Sequence, residues 1–235
     1  MRSRGGEIAV VQDNRSGRLS YWQARDHHSV ADNFGVSLAP YVHALFGLLR
    51  QKRPRRVLII GCGGGSLATM LSREGIGVTL LDIDPRSFAI ARRYFHMPAS
   101  VECHLADGAR FLRRNSARYD AIVVDAFVDG RIPGHFLTPN FLGLAKARLR
   151  RSGIVLVNMV IRGDEDPLFA TMAKAFAPVW RCARLLDVKS FSNRNVIAMA
   201  GTVRDLKAPR LRIKPAIQAR KLAQSLAGFF FRPLR

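Results

Sequence analysis

Apolar residues in this chain fall into short continuous runs separated by stretches with helical spacing. From Arg56 onward the alternation is regular. Val57–Ile60, Val78–Leu81, Val101–His104, Ala121–Val124 and Ile154–Asn158 read as strands, and Ser66–Arg73, Arg86–Phe95, Ala109–Arg113 and Asn140–Leu149 as the helices between them. Strands that are apolar throughout, rather than at every second position, belong in a sheet covered on both faces, and helical connections make that sheet parallel. A further helix at Leu168–Phe176 and an antiparallel pair, Trp180–Leu186 with Asn195–Ala200, complete a doubly wound, mostly parallel α/β sheet of seven strands.

Two segments flank this unit. Glu7–Val11 and Arg18–Gln23 are short β-like runs around Asp13-Asn14-Arg15-Ser16-Gly17, which reads as a hairpin. Ser37–Leu49 then places Leu38, Val42, Leu45, Phe46 and Leu49 at helical spacing, and the basic stretch Gln51–Arg56 with Pro54 ends that helix. After Gly201 the pattern decays through Lys207–Pro215 into a basic amphipathic helix reaching Leu226. The expected organisation is a β-hairpin lobe at 1–36, a Rossmann-like cofactor-binding domain at 37–203 and a basic tail at 204–235.

Composition alters this picture chiefly through charge. At 235 residues with 48% hydrophobic content, the chain can bury a core of its own. Its apolar runs are strand-sized, far from the roughly 20 residues of a membrane-crossing helix, so no membrane span is expected. The start of the chain lacks the apolar core of a signal peptide, which points to the cytoplasm. Cys62, Cys103 and Cys182 are widely separated without CxxC spacing, so neither a zinc site nor a disulfide framework is indicated and no metal is expected. The net charge of +21 would attract polyanions such as nucleic acid or anionic membranes. The excess is spread over Arg53–Arg56, Arg92–Arg93, Arg113–Arg114, Arg148–Arg151 and the tail, largely at helix ends, where cations also suit the helix dipole. Without interleaved aromatics, solvated charge is the favoured reading over a dedicated nucleic-acid surface.

The candidate chemistry concentrates at strand ends. Val57-Leu58-Ile59-Ile60-Gly61-Cys62-Gly63-Gly64-Gly65-Ser66 is an apolar strand running through a glycine turn into a helix. Glycines permit close backbone approach, and the helix start offers free N–H donors. The next strand ends in Asp82-Ile83-Asp84, about 20 residues after the glycines, where ribose hydroxyls are gripped in nucleotide sites. Asp82 is the ribose candidate, and Asp84, ahead of Pro85, reads as a helix cap. The third strand ends in Ala106-Asp107-Gly108-Ala109, with Asp107 either an adenine contact or another cap. The fourth emerges as Val124-Asp125-Ala126-Phe127, and an acid there can hold a cationic amine or take a proton from it. Asp125 is the catalytic candidate. Asp129 and His135 lie in the polar loop beyond, which can serve as a lid, and His27 and His28 read as surface residues.

In order along the chain, VLIIGCGGGSLA, LLDIDP, ADGARFL, YDAIVVDAF and IPGHFLT resemble motifs of the spermidine synthase superfamily, the polyamine aminopropyltransferases and their relatives, over roughly Tyr41–Asn158. The last two are most similar to a bacterial spermidine-synthase-like subgroup. The resemblance implies a Rossmann-like fold of the S-adenosylmethionine-dependent methyltransferase type and a transferase of polyamine biosynthesis. It also implies a cofactor, decarboxylated S-adenosylmethionine or S-adenosylmethionine itself, and a small-molecule amine acceptor. Under it Gly61, Gly63 and Gly65 line the methionine-derived portion and Asp82 the ribose. Asp107, Gly108 and Ala109 take the adenine side, and Tyr41, Asp125 and Asp129 the amine. Members commonly dimerise, which leaves a homodimer open.

Three departures from the family pattern matter. Gly64 stands where aminopropyltransferases carry the acid of a G-G-G-D-G-G turn, Tyr41-Val42-His43 lacks the acid of a Y-H-E pattern, and Asp125-Ala126-Phe127 replaces a more polar loop. A polycation calls for several carboxylates, and fewer are present. Aminopropyl transfer therefore leads, with methyl transfer from the intact cofactor to a small molecule or nucleic acid, and cofactor binding without catalysis, as alternatives. Against nucleic-acid methylation, Asp125-Ala126-Phe127-Val128 is unlike the Asp/Asn-Pro-Pro-aromatic loop of many base-amine methyltransferases.

Overall fold

A computed structural model describes residues 7–23, 26–189 and 193–234, with backbone alone for 26–28, so the side chains of His27 and His28 lie outside the described residues. The chain opens with a lobe of three antiparallel strands, β1 (Ile8–Gln12), β2 (Leu19–Gln23) and β3 (Asp26–Ala31). The expected hairpin is thus a three-stranded sheet. Its third strand, Asp26-His27-His28-Ser29-Val30-Ala31, is too polar to announce itself as an apolar run. Asp13 closes the first turn by accepting backbone N–H bonds from Arg15 and Ser16, both at 2.9 Å.

The main domain follows as α1 (Pro40–Lys52), β4 (Arg56–Ile60), α2 (Ser66–Arg73), β5 (Gly77–Asp82), α3 (Pro85–Tyr94), β6 (Glu102–Leu105), α4 (Gly108–Arg114) and β7 (Tyr119–Val124). It continues through α5 (Pro139–Arg148), β8 (Leu149–Ile161), α6 (Leu168–Phe176), β9 (Ala183–Val188), β10 (Arg194–Gly201), α7 (Ala219–Ala227) and β11 (Phe229–Pro233). Among the described residues, eight strands form one sheet in the order β11-β9-β10-β8-β7-β4-β5-β6. The pairs from β6 to β8 are parallel, and β10, β9 and β11 join antiparallel.

Eight strands replace the expected seven because the end of the tail pairs with β9. Leu226 and Phe229 sit in the same buried cluster as Leu45 and Leu49 of α1, so the tail is part of the core. Its docking is hidden in sequence because Arg220 and Lys221 open α7 on the exposed side, and only Leu222 and Leu226 of that helix are buried.

The central strands show why their sequence is apolar throughout. Val57 and Ile59 point into the layer beneath α1 and α2, while Leu58 and Ile60 point into the layer beneath α4, α5 and α6. Ala121 and Val123 against Ile122 and Val124 repeat the division on β7. Each strand residue thus has a core on its own side, as the two-residue strand period requires. A third cluster, Leu19, Tyr21 and Ala31 with Ile90 and Phe95, fastens the lobe to α3.

From β4 the chain winds outward to β5 and β6, then crosses back to β7 on the other side of β4. The switch point between β4 and β7 leaves a crevice at the strand ends, the position where open α/β sheets take ligands.

Candidate functional site at the strand ends

The turn after β4 passes hard against β7. Gly61 makes it at φ +101°, and a Cβ there would lie 2.2 Å from the Asp125 carbonyl oxygen, so only glycine fits. Its N–H donates to the Leu81 carbonyl at 2.9 Å. Asp82 braces the loop: the Cys62 N–H donates to Oδ2 and the Asp84 N–H to Oδ1, each at 2.8 Å. Each carboxylate oxygen keeps a second acceptor direction for a ligand hydroxyl. Burial pushes the Asp82 carboxyl up, opposed by those same N–H bonds.

Gly64 is more than a missing acid. Its N–H donates to Ser29 Oγ at 2.7 Å, and a Cβ at this position would lie 3.0 Å from the Phe95 ring and from Ser29 Cβ. The lobe and the residue after α3 have filled the space beside the turn. Sequence shows the absent acid, but the packing that replaces it joins residues 35 and 31 positions away and has no local signal. At the start of α2, the buried Ser66 hydroxyl has no hydrogen-bond partner among the described residues, a polar group left over beside the glycine turn.

The next two acids are both helix caps. Asp84 accepts from the Arg86 N–H at 3.0 Å and pairs with the Arg86 guanidinium, which holds its carboxyl below the usual range. Asp107 accepts from the Arg110 N–H at 2.9 Å, and its other oxygen meets His135 Nε2 at 2.9 Å. Capping and site placement therefore coincide at Asp107, and His135 is drawn to the crevice by a residue 28 positions earlier. Gly108 lets α4 close onto β4, since a Cβ would lie 2.7 Å from Ile60 Cγ2, and Ala109 is buried beside it.

Asp125 follows the last residue of β7, its N–H donating to the Ile60 carbonyl at 2.8 Å. Asn158 Nδ2 donates to Asp125 Oδ1 at 2.7 Å, and Asn195 Nδ2 donates to Asn158 Oδ1 at 3.1 Å. Tyr41, at the start of α1, faces the same carboxylate, and the two groups shift each other's proton equilibria. Burial lifts the Asp125 carboxyl to about 6 despite the opposing bonds from Asn158 and Tyr41, and burial raises the Tyr41 phenol well above its ordinary value. Asp129 stands apart, in an exposed turn at φ +52°. Among the described residues, no hydrogen bond or ion pair joins it to Asp125 or Tyr41.

Asn158 is the residue that sequence reasoning passed over. Its signal was a single amide closing the apolar run Ile154–Val157, buried to 1% exposure on a strand that otherwise needs none. The donor set as a whole, a glycine turn, a spare buried hydroxyl and acids at successive strand ends, fits a nucleoside with a cationic reacting partner. Among the described residues, no group of three or more His, Cys, Asp or Glu side chains could hold a metal ion.

Comparison with known proteins bears on this geometry. The model of the spermine/spermidine synthase domain matches residues 42–168, just over half of the chain. A polyamine aminopropyltransferase of Vibrio vulnificus is 37% identical over 127 residues, covering 51% of this chain and 42% of the relative. One of Chromobacterium violaceum is 29% identical over 197 residues, covering 81% and 71%. The chain thus spans less than half the length of the first of these relatives. Among solved structures, a probable spermidine synthase of Corynebacterium glutamicum superposes with a TM-score of 0.78 at 15% identity, covering 96% of this chain and 87% of that one, a likeness of fold.

Proposed function

The chain belongs to the spermine/spermidine synthase domain family, and on that premise we propose that it transfers an aminopropyl group from decarboxylated S-adenosylmethionine to an amine acceptor. The observation that carries this reading is the Asp125 carboxylate, set at the end of β7 between Asn158 and Tyr41 with its pKa lifted to about 6. When bound, the cofactor supplies a carbon made electrophilic by its sulfonium neighbour. Gly61, Gly63, Gly65 and Asp82 would hold its methionine-derived and ribose portions, and Asp107, Gly108 and Ala109 its base. Above pH 6 Asp125 carries a negative charge in a low-dielectric pocket, where it attracts the acceptor's ammonium and accepts its proton. Tyr41 and Asn158 fix the carboxylate's direction, so that orientation supplies most of the remaining advantage.

A second reading, methyl transfer from intact S-adenosylmethionine, is favoured by one observation. The space beside Gly64 is filled by Ser29 and Phe95, so no carboxylate stands there to meet the amine of the decarboxylated cofactor or repel the carboxylate of the intact one. The two readings separate by product. Purified protein incubated with each cofactor and a panel of di- and polyamines yields methylthioadenosine under the first reading and S-adenosylhomocysteine under the second. Neither nucleoside appearing, with tight cofactor binding retained, would overturn both in favour of a binding protein. The work would be done in the cytoplasm, where polyamines are made. Among the described residues, no helix is long and apolar enough to cross a membrane.

A further inference from the structure

Basic residues scattered over several segments of the sequence become a face in the folded chain. In a doubly wound sheet the helices run opposite to the parallel strands, so helix C-termini and strand starts meet at the end remote from the crevice. The last turns of α1, α2, α4 and α5 all carry arginine or lysine. Cross-links hold them at one end: Arg148 Nε donates to the Leu112 carbonyl at 2.9 Å, Arg118 to the Leu149 carbonyl at 3.2 Å and Lys52 Nζ to the Thr202 carbonyl at 3.0 Å.

Between the end of α1 and the segment after β10 lies a cavity of about 450 Å³, in which Arg50, Lys52, Arg53, Lys207 and Arg212 face a single carboxylate, Asp205. Glu74 engages Arg50 at 3.2 Å from outside this group. The two walls are clamped together, because Gln51 accepts the Lys207 N–H at 2.8 Å and donates to the Lys207 carbonyl at 3.0 Å. The cation cluster is therefore held open before any ligand arrives. Lys207 and Arg212 remain exposed.

We propose that this cavity and the basic sheet end around it bind the phosphodiester backbone of double-stranded nucleic acid, on the side of the molecule opposite the crevice. Guanidinium groups match phosphate oxygens in a bidentate fork, and an array of them matches the repeated charge of a duplex. A single-strand binder would present aromatic rings for base stacking, and a membrane-surface binder large apolar side chains. Among the described residues, the exposed large hydrophobic side chains are Val11, Trp22, Phe34, Ile83, Tyr94, Leu105, Val128 and Phe230, and none lines the cavity.

The test is fluorescence anisotropy of the full chain with labelled DNA and RNA duplexes of about 20 base pairs across about 0.05 to 0.3 M salt. Lys207→Glu combined with Arg212→Glu is expected to weaken binding about tenfold or more at roughly 0.15 M salt and to lower the salt slope by about two. A control with the same change in net charge on the lobe, Arg15→Glu with Arg18→Glu, is expected to shift affinity less than about threefold, since remote exposed charges are screened. Cavity-dependent binding of either duplex supports the site, and the better-bound duplex identifies the source of the backbone. Equal losses in the two variants, no duplex binding near 0.15 M salt, or binding only to phosphatidylserine vesicles overturns it. Circular dichroism melts of both variants check that folding is retained.

Discussion

The two ends of the eight-stranded sheet collect charge by the same rule and with opposite signs. Where the parallel strands finish, Asp82, Asp107 and Asp125 gather from segments far apart in sequence, braced by backbone N–H groups or, at Asp125, by an amide. Where the strands begin, helix ends deliver arginines and lysines, and Asp120 sits among them, accepting the Arg55 and Arg56 N–H groups at 2.8 and 2.9 Å. Helix dipoles favour acids at one end and bases at the other, so a doubly wound topology sorts charge without any long-range design. The ends differ in burial. Asp82 and Asp125 are enclosed enough for burial to raise their carboxyls, whereas most bases opposite stay exposed and act through summed field.

Exchanging Asp125 tests the crevice end most severely. Asp125→Asn should lower kcat/KM by about 10³-fold, the middle of the range for a general base, as read from steady-state kinetics. It should also stabilise the protein at neutral pH. The folded-state value, about 6, lies above the ordinary 3.8, so the fold prefers the protonated acid. That preference is fully present below 3.8 and is lost as pH rises through 6, leaving a carboxylate that costs on the order of 2–3 kcal/mol. Melting curves of variant and parent should therefore separate between those two pH values. Superimposable curves would mean that Asp125 is not buried enough to be tuned.

Gly61→Ala comes next, with a loss of about 3 kcal/mol or more in denaturant unfolding, because its Cβ meets the backbone of Asp125 and Ala126 just beyond β7 and its φ is positive. Asp120→Ala probes the opposite end, where two exposed backbone donors exchange a carboxylate for water at a cost of about 0.5–1.5 kcal/mol. Its kcat well below the melting temperature should be unchanged. A proportional fall in kcat would show that the ends are coupled and break the comparison.

Asn158→Ala removes one of the two bonds that lower the Asp125 carboxyl, so the acid limb of kcat/KM against pH should move upward from about 6. At neutral pH kcat/KM should drop about tenfold, or ~1.4 kcal/mol. A uniform loss with no movement of the limb would reduce Asn158 to a packing residue. The smallest effect belongs to Arg150→Gln, which loosens an exposed pair with Asp120 at 3.5 Å and should change stability by less than about 0.5 kcal/mol.

The legible parts of this protein share one property, that a few consecutive residues carry the whole signal. Val57–Ser66 announces strand, turn and helix because its apolar run and glycines are contiguous, and Asp84 is a readable cap because Pro85 follows it. The lobe's third strand stayed hidden because Asp26-His27-His28-Ser29 is polar, and β11 because Phe229–Pro233 gains its meaning only from β9. Asn158 was hidden for a similar reason: an amide at a strand end becomes a positioning group only when Asp125 and Asn195 are brought beside it.

By itself the sequence determined the periodicities that make a two-sided sheet, the glycine turn, and an acid at the end of each of β5, β6 and β7, since these follow from local geometry and side-chain chemistry. Only the tertiary structure decided what those pieces meet. It set Ser29 and Phe95 into the space beside Gly64, closed Tyr41 and Asn158 on Asp125, drew the tail into the core and turned separate helix ends into one basic face. Each of these depends on how distant segments share volume, and the sheet's strand order alone brings them within reach.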